Sequence, residues 1–165
     1  MKKNIYLTLT LALVSVITWF FTACGGDDEE KDMSKPVISD KGITANPIDC
    51  QTYHRGDVIA FNYVFEDDTE LGSFNIEIHN NFEHHTHSTS TTECEDEDEH
   101  EHHQPVKPWV FNQDYQIPAG QKSYTARFDI QIPADIDEGD YHFMVRLTDR
   151  AGWQELKGIA IKIEE

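Results

Sequence analysis

Five runs of this chain alternate apolar and polar residues with a period of two, and that pattern constrains the fold more than any other feature. In "VIAFNYVFED", Ile59, Phe61, Tyr63 and Phe65 share one side. In "SFNIEIHN", Phe74, Ile76 and Ile78 point one way and Asn75, Glu77 and His79 the other. "YTARFDIQIP" sets Tyr124, Ala126, Phe128, Ile130 and Ile132 in register, and "YHFMVRLTD" does the same for Tyr141, Phe143, Val145 and Leu147, opposite His142, Met144 and Arg146. "LKGIAIKIEE" closes with Ile159, Ile161 and Ile163. Successive side chains of a strand point to opposite faces, so these are half-buried strands, rich in aromatic and β-branched residues. Turn-forming stretches separate them ("FEDDTELGS", "IPAGQKS", "PADIDEGD", "TDRAGW"). Short strands at such spacing belong to a sandwich or barrel.

One local motif narrows the choice. "DEGDY" places Asp137, Gly139 and Tyr141 as D-x-G-x-Y just before a strand. It resembles the tyrosine corner of immunoglobulin-like sandwiches, where the hydroxyl bonds back to the backbone. The expectation is an all-β, immunoglobulin-like antiparallel β-sandwich of about seven strands. Strand A lies within 36–47, B at 57–66, C at 72–80, D at 109–117, E at 123–132, F at 140–149 and G at 154–164. Residues 81–107 then form a His/acid-rich C–D insertion. It exceeds the ~12–15 residues beyond which a loop tends to be functional or disordered.

The start of the chain points to the cell envelope. Lys2 and Lys3 precede an uncharged apolar run, Ile5 to Phe21, which ends in "FTAC". A basic start, an apolar run and a small residue before the cut form a secretory signal over residues 1–23. The small-x-Cys ending resembles the lipobox of bacterial lipoproteins, which implies cleavage before Cys24 and lipidation of its thiol. Residues 24–35, "CGGDDEEKDMSK", cannot bury apolar area and read as a flexible acidic tether. They resemble the acidic run of surface-exported lipoproteins. The folded domain spans 36–165. The expected location is the cell envelope, lipid-anchored to the outer membrane, on its periplasmic face or, as the acidic run suggests, its outer one. The chain carries 13 Lys and Arg against 31 Asp and Glu; both lysines of the signal are lost on cleavage, leaving 11 against 31, a net −20. Such a field repels nucleic acid and attracts cations.

Seven of the nine histidines, His79, His84, His85, His87, His100, His102 and His103, lie in or just before the insertion. Histidine-rich tracts read as metal-binding. In extended chain, residues i and i+2 point the same way, so His85/His87 and His100/His102 each form a half-site. In the expected topology the A–B, C–D and E–F connections share one pole. His54, His79 and His142 arrive there from other strands, the last two on outward faces. Imidazole nitrogens suit Zn²⁺ first, with Cu²⁺ and Ni²⁺ as alternatives. Cys50 and Cys94, the cysteines other than Cys24, form an even pair in an oxidising compartment and suggest a disulfide; Cys94 as a thiolate ligand is the other reading. Glu66, Asp67 and Asp68 on the B–C turn face Asp149 on the F–G turn at the opposite pole. Cadherin-like modules bind calcium with such loops, but the spacing here is loose and reads as acidic turns.

The segments "IEIHNNFEHHTHSTSTTEC", "GDYHFMVRLTDRAGWQ" and "KGIAIKI" resemble an uncharacterised Bacteroidota lipoprotein family, immunoglobulin-like with a histidine-rich insert. The likeness covers 35–165 and implies fold and location; it brings no established activity. Catalytic motifs are absent: no G-x-S-x-G, H-E-x-x-H or P-loop. The expectation is therefore a non-enzymatic, lipid-anchored protein for transition-metal capture, buffering or delivery, working with an outer-membrane receptor or transporter. The alternative is a surface interaction or glycan-uptake accessory module with a passive insert.

Overall fold

A computed structural model describes residues 31–82 and 105–165 of the chain. The chain divides into two units, Met1–Lys31 and Asp32–Glu165. The signal, Cys24 and most of the tether lie outside the described residues. So do His84, His85, His87, Cys94, His100, His102 and His103.

The described part of the second unit is strands and turns: β1 (Val37–Ser39), β2 (Gln51–His54), β3 (Val58–Glu66), β4 (Leu71–Asn80), β5 (Phe111–Gln116), β6 (Ser123–Gln131), β7 (Gly139–Asp149) and β8 (Gln154–Glu164). Among the described residues no helix is long and apolar enough to cross a membrane. The strands form a sandwich of two sheets, ordered β1–β3–β6 and β2–β8–β7–β4–β5. Alternation fixes the register, because a slip of one residue would turn each apolar set to the wrong face. The inward rows meet in one core. Phe61 of β3 is fully buried there and packs its ring against Phe128 of β6 (5.0 Å), Phe143 of β7 (5.7 Å) and Phe74 of β4 (6.5 Å).

Three features depart from the sequence-based expectation. The described residues form eight strands, where about seven were expected. The segment before the first long strand, expected as a plain connection, forms β2, which pairs in parallel with β8. The chain ahead of β3 thus gives one short strand to each sheet. Secondly, the strand expected as D pairs with β4, a partner that the alternation pattern did not assign. This mostly polar strand is anchored by two aromatics: Phe111 lies opposite Ile78, and Tyr115 lies opposite Phe74 and stacks on it at 4.8 Å. The insertion therefore joins two neighbours of the same sheet. Thirdly, the outward face of β7 is covered at His142 and Met144, though not at Arg146. His142 is 2% and Met144 7% exposed, where solvent-facing residues were expected.

The tyrosine corner is as read. The Tyr141 hydroxyl donates to the Asp137 carbonyl (2.7 Å) and accepts from the Trp109 amide (3.2 Å). Burial raises its pKa, against a lowering by the Trp109 bond.

Candidate metal centre

His79 of β4 and His142 of β7 are direct cross-strand partners. His142 lies between Tyr141 and Phe143, both in the core, so its ring takes the reverse face of the sheet. The two imidazole centroids are 5.5 Å apart, with the planes near perpendicular at 87°. With Zn–N bonds of ~2.0–2.1 Å and a tetrahedral angle, two imidazoles on one ion have centroids roughly 5.2 Å apart. The two ring centroids are thus about as far apart as those of two imidazoles on one ion. Glu77 Oε1 stands 3.2 Å from His79 Nδ1. The carboxylate lies within ion-pair range of the ring; around ligating histidines such a group orients the imidazole when the two hydrogen-bond. The His79 side chain is 19% exposed, and both histidines have interactions beyond these.

Both stems of the insertion are fastened beside this pair. On entry, the Asn81 amide donates to the Asp140 carbonyl at 2.7 Å. The Phe82 ring then meets Tyr141 edge to face, centroids 5.4 Å apart. It lies over Gly139, whose φ is +128°; a Cβ there would come within 2.9 Å of the ring. Glycine is needed on both counts. On exit, the Val106 and Lys107 amides donate to Asp137 Oδ2 at 2.8 and 2.7 Å, and the Asp137 amide donates to the Lys107 carbonyl at 3.0 Å. Lys107 also pairs with Asp135, whose carboxyl it holds below the usual value. Residues 82 and 105 thus flank a stretch of 22 residues whose ends converge on 135–141, just ahead of His142.

The other expected contributors divide. Cys50 lies level with the pair: its amide donates to the Ala160 carbonyl (2.8 Å), and Ala160 is the β8 partner of His142. Cys50 is disulfide-bonded, and both other cysteines lie outside the described residues. His54 does not join the pair. It sits opposite Glu164, four residues further along β8 and two strands from β7. At ~3.3 Å per residue and ~4.8 Å per strand, that is roughly 16 Å between Cα atoms. Its exposed ring stands 3.5 Å from Asp57 Oδ2 in its own turn. Sequence reasoning missed Glu77 and the clamp formed by the Asp137 side chain. Glu77 was legible as the i−2 neighbour on the face of His79.

A family model described as a domain of unknown function, DUF4625, matches residues 22–164. The chain belongs to this family. No curated protein matches it. Among solved structures, this DUF4625 chain is similar to Spo0M, a sporulation control protein from Bacillus subtilis. The identity is 11%, over 81% of this chain and 51% of that one, with a TM-score of 0.41. The chain therefore spans about half the length of that protein.

Proposed function

We propose that this DUF4625 protein is a lipid-anchored, extracytoplasmic binder of divalent transition metal, zinc foremost, that captures, buffers or delivers the ion. The opposed imidazoles of His79 and His142, with both stems of a six-histidine insertion fastened next to them, carry the reading. The strand pair supplies two donors whose spacing costs no ordering entropy at binding. The insertion supplies the others, His84, His85 and His87 from the entry side. His100, His102, His103 and the acids between gather cations. With Cys94 as the partner of Cys50, the disulfide draws the middle of the insertion toward the row Cys50–Ala160–His142–His79. Imidazole suits copper(II) and nickel as well, so the metal is a matter for competition.

The anchor is Cys24, in the manner of a Bacteroidota lipoprotein, supported by the basic, apolar and small-x-Cys order of the first residues. A binder held on the outer membrane passes its ion to a receptor or transporter there. Equilibrium dialysis against zinc, nickel and copper, followed by metal analysis, tests the function. The protein should retain zinc far above a variant lacking residues 84–103. Equal retention by the two would refute it.

A further inference from the structure

The opposite end of the sandwich carries a second set of donors of another kind. The turn between β3 and β4 reads "DDTE", Asp67 to Glu70. The Asp67 carboxylate is folded inward: Oδ1 accepts from the Thr69 and Glu70 amides at 2.9 and 2.6 Å. The residue is only 9% exposed, and its buried Oδ2 has no hydrogen-bond partner. Asp32, expected in a flexible tether, is instead held at this turn. Its carbonyl accepts from Trp153 Nε1 (3.0 Å), its Oδ1 from the Ser34 amide (3.0 Å), and the Ser34 hydroxyl donates to Asp68 Oδ2 (2.6 Å). Asp32 Oδ2 is also buried with no partner. One oxygen each from Asp32, Asp67 and Asp68 lie within 4.8 Å of one another.

Asp149 ends β7 at the same pole. It is 4% exposed; Oδ1 accepts from the Gly152 and Trp153 amides, and Oδ2 is a third buried oxygen with no partner. The β7 backbone presses so closely on β4 that a Cβ at Gly72 would stand 2.8 Å from the Asp149 carbonyl. No Lys, Arg or His among the described residues forms an ion pair with any of these four carboxylates. Arg150 pairs with Glu70, and the Lys122 amine donates to the Asp68 backbone carbonyl. Anionic oxygens taken out of water without a donor or a cation are strongly disfavoured.

We propose that Asp32, Asp67 and Asp68 form a calcium site, with Asp149 adding negative charge beside it. All-oxygen donors select a hard cation over zinc. Ca²⁺ holds its oxygens at ~2.3–2.6 Å, so its ligands lie within about 5 Å of each other, and its flexible shell accepts waters in the remaining places. Mg²⁺ demands a near-ideal octahedron and keeps its own water. Bound calcium fastens the start of the folded domain to the β3–β4 turn.

Terbium is the probe, because Trp153 touches Asp32 and will sensitise a lanthanide bound there. Tb³⁺ added to the purified, metal-free protein should luminesce on tryptophan excitation. Ca²⁺ should quench it at the ~0.1–1 mM dissociation constants of extracellular modules, and Mg²⁺ much less. Asp67→Asn and Asp68→Asn should each remove the signal; the exposed Asp68 keeps the test open if Asp67→Asn does not fold. Trp153→Phe should lose the emission yet keep the calorimetric heat of calcium binding. His79→Ala/His142→Ala should leave calcium binding intact. Emission that calcium cannot displace, that survives Trp153→Phe, or that survives both aspartate variants would overturn the site. Equal displacement by Mg²⁺ would overturn calcium as its ion.

Discussion

The two ends of the sandwich arrange their imidazole and carboxylate groups by different means. At one end, His79 and His142 are set by strand register, so their spacing is built into the sheet. At the other, Asp67 and Asp68 sit on a turn, and Asp32 arrives from a segment outside any strand. The first end carries nitrogen donors with a carboxylate, Glu77, beside one ring. The second carries oxygen only, with three buried oxygens lacking a donor. A register-built pair exists whether or not a ligand is present. A turn-built cluster of like charges stores repulsion that a cation relieves. The histidine end should therefore gain affinity from rigidity, and the aspartate end should gain stability from its ion.

The largest expected effect tests whether the ends share one cooperative unit. Phe61 packs against rings from both sheets, and Phe61→Ala should cost ~3–5 kcal/mol. Denaturant unfolding should then show both ends lost in one transition; separate transitions would break the comparison. Next, Tyr141→Phe leaves the Asp137 carbonyl and the Trp109 amide short of a partner, at a cost of ~1–3 kcal/mol. Because Tyr141 adjoins His142, zinc binding measured by titration calorimetry should weaken while the calcium response persists. Glu77→Gln should act on affinity alone. Loss of a partner behind a ligating histidine typically costs ~10–100-fold, and little change in melting temperature is expected.

The smallest effect, a pH dependence confined to alkaline solution, distinguishes the core from either end. Burial pushes the Tyr53 hydroxyl up to about 12, against a lowering by its bond to Asn46. The unfolded chain ionises first, near 10, so the folded state holds more protons above that pH. This contribution is complete below pH 10 and is lost between pH 10 and 12. Melting temperature should fall across that window, and less so in Tyr53→Phe.

The alternation of Ile59 to Phe65 and of Tyr141 to Leu147 made the strands legible, since period two names the buried face directly. Asp137, Gly139 and Tyr141 announced their corner, because its chemistry is local. The pairing of β5 was not legible: Phe111–Gln116 is mostly polar, and the stack of Tyr115 on Phe74 and the bonds from Asn75 to Asn112 and Asp114 show which neighbour it joins. Alternation placed His142 opposite the core but says nothing of what covers a face, so its burial was missed. The opposition of His79 and His142 followed from topology, whereas His54 was placed too near because β2 was read as a loop. Asp32 was hidden by composition. A run of glycine and acids reads as solvated chain, and only the Trp153 and Asp68 contacts show where it is held.

One measurement bears most directly on the strand-held pair as a metal site. The protein and its His79→Ala/His142→Ala variant should be dialysed side by side against zinc, with melting curves to establish that both are folded. The expected result is zinc retained in stoichiometric amount by the protein and largely lost from the folded variant. A folded variant that keeps as much zinc as the protein would contradict a centre built on these two strands.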